Sequence, residues 1–446
     1  MNSHHSCRSL RAAAGRVLAW AGGLAAGALL ISFPAGAWAA PEVSAESTTI
    51  LRLGNTDFPG SKDLYPLYEY LHLSLTGAET KGNSLSLYFG GWGRGDLGDK
   101  SFNDRYTDGD LQYGFLSYRW GRNNAVANAG RQFVTEGVAT QRLDGLYLRS
   151  DLGAGFAAAA FVGSPVNTEP NVKADDFVFG GRVTHSAAKY YTLGVSALRS
   201  NAGSTRYREE EGVDLWLSPV RQLDVTGRSS YNSVTEGWME HAYTMSLRPT
   251  DKLQLFADLR QVNYRDFFYR VTTTALTFQD RLIDPGERDL ALGGGIGFTP
   301  VKGVTLTADY RHHDYEIARE AHYYGGKVAL SFPEKFAAGG SVHRMDGGSD
   351  PLRYLEYRVY ASKSFGPADL TLDFIDVNYD STLSTNNVRN VFVVTAAGAY
   401  RVTRSVTLAA DVDYSKNPDF DNEVKGMLKA VVSFDAALEG RGKSEK

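Results

Sequence analysis

The chain repeats a two-residue hydrophobic period in blocks of about ten residues, and few folds accommodate such blocks. In 191–198, Tyr191, Leu193, Val195 and Ala197 alternate with Thr192, Gly194 and Ser196. In 304–311, Val304, Leu306, Ala308 and Tyr310 alternate with Thr305, Thr307, Asp309 and Arg311. Segment 405–414 sets Val406, Leu408, Val412 and Tyr414 against Thr407, Asp411 and Asp413, and 424–434 sets Leu428, Val432 and Phe434 against Lys425, Lys429 and Ser433. Strand side chains point alternately to two faces, so each block describes a sheet that is apolar on one side and wet on the other. Strands of a soluble sandwich usually run about five or six residues, roughly half the length of these blocks. At about 3.3 Å per residue and a tilt near 40°, ten residues rise roughly 25 Å, the height of the apolar band of a transmembrane barrel. The pattern therefore predicts an all-β, antiparallel up-and-down transmembrane barrel.

Composition agrees once the argument needs it. The 446 residues include 47 Gly, 25 Tyr and 22 Phe, which favours strands and tight turns over helices. After Ala40 no run offers eighteen apolar residues, so no transmembrane helix is expected. A net charge of −4 gives no electrostatic footprint for nucleic acid.

The N-terminus reads as an export signal over 1–39. Arg8, Arg11 and Arg16 precede an apolar run from Val17 to Phe33, Pro34 ends it, and Ala37-Trp38-Ala39 supplies a small-residue cleavage site. Cleavage leaves a barrel domain over 40–446 and removes Cys7, the chain's single cysteine. The mature chain then has no thiol for a disulfide, a thiolate metal site or covalent haem attachment. It is also more acidic, because three arginines leave with the signal.

Short turns containing Pro, Gly or Asp alternate with longer, acid-rich links, among them 134–141, 200–209 and 314–321. Ten turns and eleven links, with both termini on the turn side, require 22 strands beginning at 47–54; without that first strand the count is 20. This one-sided asymmetry is that of a bacterial outer-membrane barrel, with short periplasmic turns and outward loops. Aromatics fall near the block ends, as interface girdles do: Trp120, Tyr191, Phe298, Phe332, Phe336 and Tyr400 by the turns, and Trp92, Tyr231, Trp238, Tyr264, Tyr310, Tyr324, Tyr357 and Tyr414 by the loops.

Alternation assigns the charges that would line the lumen. Arg119, Arg149, Arg182, Arg228, Arg248, Arg260, Arg311, Lys327, Arg358, Lys425 and Lys429 point inward, with Asp214, Asp224, Asp258, Asp309, Asp373, Asp411 and Asp413. Arg–Asp ladders across the wall are the expected use of most of them. The cationic surplus predicts a weak preference for anions.

Nothing in the sequence supports catalysis or a cofactor. His312 and His313 are adjacent, so on a strand they face opposite ways and cannot chelate one ion. Gly293-Gly294-Gly295 lacks the following helix that a phosphate cradle needs and reads as a glycine-relieved strand. Glu209-Glu210-Glu211 reads as a solvated loop rim, with divalent-cation binding as the alternative. No Ser/His/Asp set is visible.

The stretches TILRLGNTDFPG (49–60), SLYFGGWGRGDLGD (86–99) and AGRQFVTEGVATQRLDGLYLRSDLG (129–153) resemble outer-membrane channel proteins of metal-reducing bacteria. Some barrels of that group sheathe periplasmic multihaem cytochromes in electron conduits. The resemblance implies a barrel whose haem iron, in the conduit role, belongs to the partner. Gly130, Arg131, Gln132 and Asp144 stand in the third stretch and are expected to serve the wall.

Two functions follow for a non-enzymatic barrel in outer-membrane lipid: a porin-like channel for small, anionic solutes, or a sheath around a multihaem cytochrome or other plug protein. A barrel this wide without a plug would leak, so either loops fold inward or a separate protein fills it. The longest links, 92–109 and 264–287, offer no obvious constriction.

Overall fold

The computed structural model describes residues 42–437, apart from 57–61, 78–81, 101–104, 167–175, 203–204, 270–276, 279–280, 283–285, 334, 384–388 and 417–421. The expected signal segment and Cys7 lie outside the described residues.

Twenty-two strands close into one antiparallel barrel. In chain order they are β1 Glu42–Thr56, β2 Pro66–Thr76, β3 Ser84–Asp96, β4 Thr107–Trp120, β5 Ala125–Glu136 and β6 Ala139–Gly153. Next come β7 Phe156–Pro165, β8 Phe177–Ala187, β9 Tyr191–Ala202, β10 Thr205–Val220, β11 Leu223–Asn232 and β12 Gly237–Thr250. Then follow β13 Leu253–Asn263, β14 Arg288–Phe298, β15 Val304–Tyr315, β16 Arg319–Phe332 and β17 Phe336–Gly347. The last are β18 Arg353–Phe365, β19 Ala368–Tyr379, β20 Asn390–Arg401, β21 Val406–Lys416 and β22 Asn422–Ala437. A short piece, Lys62–Leu64, extends β2 across Tyr65 and pairs with the end of β1.

Each strand pairs with its sequence neighbours, and β22 returns to β1 in register from Glu42↔Ala437 to Gly54↔Lys425. Closure leaves the sheet without an outer edge, which a wall surrounded by hydrocarbon requires. The first strand is longer than the expected 47–54. Three expected loops shrink because the strands run on: 134–141, 200–209 and 314–321 are mostly strand. Strand length, and with it the height of the wall, is set by continued cross-strand pairing rather than by local polarity.

The alternation resolves into faces. Val195 is 62% exposed and Val213, Leu306, Val412 and Leu428 are likewise open on the outside, while their neighbours in sequence turn inward. So much open apolar surface is ordinary against lipid and costly against water. Trp120, Phe298, Phe332 and Tyr400 hold the outside near the turns, and Tyr310, Tyr324 and Tyr414 hold it near the loops. Phe332 and Phe336 stack across a turn at 5.7 Å. Trp92 departs from the expected girdle: its register partners are Tyr70 and Asp110, on the inside. Glycines at 91, 93 and 95 take the outside positions of that strand, so the local hydrophobic pattern pointed the wrong way. Tyr264 also departs, because it opens a one-turn helix, Tyr264–Phe267, in the long loop after β13.

A charge on the outside near the middle of a strand tests this assignment. Val195→Arg is expected to lower the barrel's unfolding free energy in lipid by about 2–4 kcal/mol, the usual cost of a lipid-facing cation at mid-depth. Urea titration in vesicles measures it; an unchanged midpoint would place Val195 in water.

Candidate functional site

The inside face is charged and extensively paired. Register carries one continuous face from Arg119 through Val126, Arg149, Ala159 and Arg182 to Ser196, Gly212 and Asp214. It continues through Arg228, Ala242, Arg260, Ala291 and His313. Asp224, Asp258, Asp309, Arg311 and Lys327 lie on it two to six residues along their strands. Arg358, Asp373, Asp411, Asp413, Lys425 and Lys429 complete it. Arg248 lies just past a register shift at the end of β12.

Several of these charges brace the wall. Arg358 holds Asp373 at 2.6 and 3.0 Å, Arg311 holds Asp258 at 3.1 Å through two nitrogens, and Arg182 grips Asp214. Gly293 makes room for the second pair, since a Cβ there would press on Asp258 at 2.7 Å and Arg311 at 3.0 Å. Asp309 takes His343 at 3.1 Å, and Lys425 takes Glu423 at 2.7 Å. Arg228 and Arg260 both turn to the buried Glu240, at 2.8 and 4.0 Å. Among the described residues, Arg119, Arg149, Arg248, Lys327 and Lys429 make no ion pair, nor do Asp224, Asp411 and Asp413; Arg119 donates to Asn124 at 2.8 Å and Asp413 accepts from Thr395. At the loop rim Arg344 binds Asp380 at 2.5 and 2.8 Å, which holds that carboxyl below its ordinary range.

The two other candidates change character. His313 meets Asp289 at 3.1 Å and His312 faces His322 at 3.4 Å, on opposite sides of β15. Among the described residues no three His, Cys, Asp or Glu side chains gather as a metal site. The acidic run is not a solvated rim. It belongs to β10, where Glu210 is buried against Arg208 at 2.6 Å.

The constriction comes from the hairpin of β5 and β6, whose turn is among the shortest on the loop side. Val134 and Ala139 and Leu143 pack with Phe161 of β7, Val178 of β8 and Leu198 of β9 as a buried apolar cluster. A cluster of that kind on the inside of a wide barrel requires the hairpin to leave the wall and lie across β7–β10. Its tip is latched there. The Val138 amide donates to Ser196 Oγ at 3.0 Å, and Arg208 donates to the Thr140 carbonyl at 2.8 Å and to Gln141 Oε1 at 3.1 Å. Glu136 accepts from Tyr147 at 2.6 Å and stands 3.7 Å from Arg182.

Two glycines permit the lean. Gly130, where β5 parts from β4, has φ +127, and a Cβ there would overlap the Gly114 carbonyl. Gly137, in the turn, has φ +64 and sits so close to Ser196 that a side chain would not fit. Beyond Gly114↔Arg131 the β4–β5 ladder stops, although both strands continue. Side chains span the parted seam: Arg131 donates to the Leu111 carbonyl at 3.2 Å, and Arg142 pairs with Asp110 at 2.5 Å. Arg131 also binds Asp144 at 2.7 and 2.8 Å. The face turned away from β7–β10 carries Phe133, 61% exposed, with the Arg142 guanidinium 5.9 Å from its ring.

No family model matches the chain, and no curated protein matches it. Among solved structures it is similar to OccAB4 of Acinetobacter baumannii, at 10% identity and TM-score 0.46, over 90% of this chain and all of that one. It is similar to a variant of the ferric enterobactin receptor PfeA of Pseudomonas aeruginosa, at 10% identity and TM-score 0.49, over 89% of this chain and 81% of that one. The translocation pore of the P pilus usher PapC also matches, at 9% identity and TM-score 0.39, over 90% and 100% of the two chains.

Arg208 is the test of the latch. Arg208→Met leaves the buried Glu210 without its cation, with the Tyr269 hydroxyl still donating to it at 3.0 Å, a loss of about 3–5 kcal/mol in comparable buried pairs. Hydrogen exchange is expected to rise at 132–142 while β13–β22 stay protected; uniform protection would mean that the pair does not hold the hairpin.

Proposed function

We propose that the chain is an exported, non-enzymatic porin-like channel of the bacterial outer membrane, its signal removed after Ala39. The observation that carries this reading is the hairpin. It narrows a wide, charge-lined lumen from within and takes up only the sector along β7–β10. That arrangement supplies what an unplugged barrel of this size lacks, a constriction made by the chain itself.

The eighteen charges assigned to the lumen act in two groups on this reading. The paired ones stiffen the wall. The cations without ion pairs, Arg119, Arg149, Arg248, Lys327 and Lys429, outnumber Asp224, Asp411 and Asp413 and bias passage towards small anions. The cytochrome-sheath alternative needs lumen volume for a haem protein, and the hairpin already fills part of it. The solute channel is therefore the reading that the geometry favours.

Planar-bilayer recording tests it. Purified protein is expected to give steady ion-conducting pores with a reversal potential on the anion side, without a co-purifying band on haem staining. Lys327→Glu combined with Lys429→Glu is expected to move the reversal potential towards cations. Cation preference in the unaltered chain would sink the charge assignment, and a stoichiometric haem protein would favour the sheath.

A further inference from the structure

The inside of β2–β4 is lined by aromatic rings where a wet wall would be polar. Tyr68, Tyr70 and Trp92 form the loop-side part: the two tyrosines stack at 6.1 Å, and Trp92 lies 6.3 Å from Tyr68. Two residues further along β2, His72 takes up the line, bonded to the Tyr113 hydroxyl at 2.8 Å with their rings 5.9 Å apart. Phe115 follows at 6.2 Å from Tyr113, and Tyr88 lies 5.1 Å from Phe115. All stand on the inside face by register. Trp92 and Tyr88 are four residues apart on β3, so the line runs about 13 Å along the strand.

Wall packing accounts for part of this. The Tyr113 ring covers Gly90, where a Cβ would overlap it, so that ring substitutes for a missing side chain. The loop-side rings cover no such gap. Each is half-buried; the Arg52 guanidinium lies 5.6 Å from the centre of the Tyr68 ring, and the ring surface that remains faces the lumen on the side that the hairpin does not occupy. Such surface is costly in water and gains when something flat and weakly polar covers it.

The flanking charges narrow the ligand class. The side chains of Arg94 and Asp96, 3.6 Å apart, are buried, whereas Asp110, the register neighbour of Trp92, stays partly open while paired with Arg142 of the hairpin. The Asp110–Arg142 pair gives little net field to draw an ion, but it presents a donor and acceptors side by side, which suits vicinal hydroxyl groups. A hexose offers both features: a face of C–H bonds with partial positive charge, attracted to the negative face of a ring, and an equator of hydroxyls.

We infer that the β2–β4 face is a binding track for neutral linear oligosaccharides, entered at Tyr68 and Trp92 and passing the constriction beside Asp110. Sugar rings stack on successive aromatics and move from one to the next, while Asp110 and Arg142 bind hydroxyls in passing. The track rests on the channel reading for its transport role, although not for binding.

The experiment uses maltohexaose and cellohexaose as probes, with benzoate as a charged aromatic comparison. In single-channel recording, at least one hexasaccharide at millimolar concentration is expected to produce transient closures. Trp92→Leu, which keeps bulk without a π face, is expected to shorten those closures about tenfold, within the range for losing one stacked ring. Tyr68→Leu is expected to act in the same direction, and Trp238→Leu, on the outside, to leave the closures as they were. Titration of tryptophan fluorescence in micelles reads the same binding without conduction. Sugar-dependent quenching that Trp92→Phe removes supports the track even if no pore conducts, which would sink the channel reading alone. Open pores indifferent to both hexasaccharides, with no quenching, overturn the track. So does block by benzoate without block by sugar.

Discussion

Everything in this molecule depends on the requirement that backbone hydrogen bonds be made within the wall. Hydrocarbon offers no partner to an amide or a carbonyl, so a sheet in it must close on itself. The pairing of β22 with β1 meets that requirement. Once the ladder is fixed, the two-residue period of every strand becomes a choice between lipid and lumen. The glycines at 130 and 137 mark the one place among the described residues where a hairpin abandons a wall neighbour. It is repaid by a buried apolar cluster and by the Arg208 latch.

Much of the fold was legible because the physical signal is local. Val304 to Arg311 states its own faces without reference to any other strand, and the turns after 120, 153 and 365 announce themselves through Asn, Gly or Pro. Asn123 and Asn124 sit at φ 58 and 47, a conformation asparagine tolerates better than most residues. The strand count followed from the alternation of turns and loops, and β1 confirmed the doubtful first strand at greater length.

The constriction was not legible, for an equally physical reason. Alternation reports which residues share a face of a strand, not whether that strand stays in the wall. Length drew attention to 92–109 and 264–287, whereas the segment that enters the lumen has a turn of only two residues. A signal was nevertheless present. Gln132, Val134 and Glu136 mix polar and apolar residues on the wet side of β5, and Val134 with Leu143 is out of place on a face bathed in water. Trp92 failed for a related reason: beside glycines at 91, 93 and 95 it is the one apolar side chain of its stretch, so the local pattern pointed it to lipid. The inward tyrosines of β2 could have been found, because Leu67, Leu71, Leu73 and Leu75 already fill the opposite face.

The hairpin and the strands that receive it are neighbours in the chain. Val134, Leu143, Phe161, Val178 and Leu198 span a short stretch of sequence, whereas the last seam joins residues near the two ends of the described chain. Contacts close in sequence form early and pay little loop-closure entropy, while the final seam pays the most. The obstruction can therefore assemble on an open, curved sheet before there is a pore to obstruct. The barrel can then close around a constriction that it has already made.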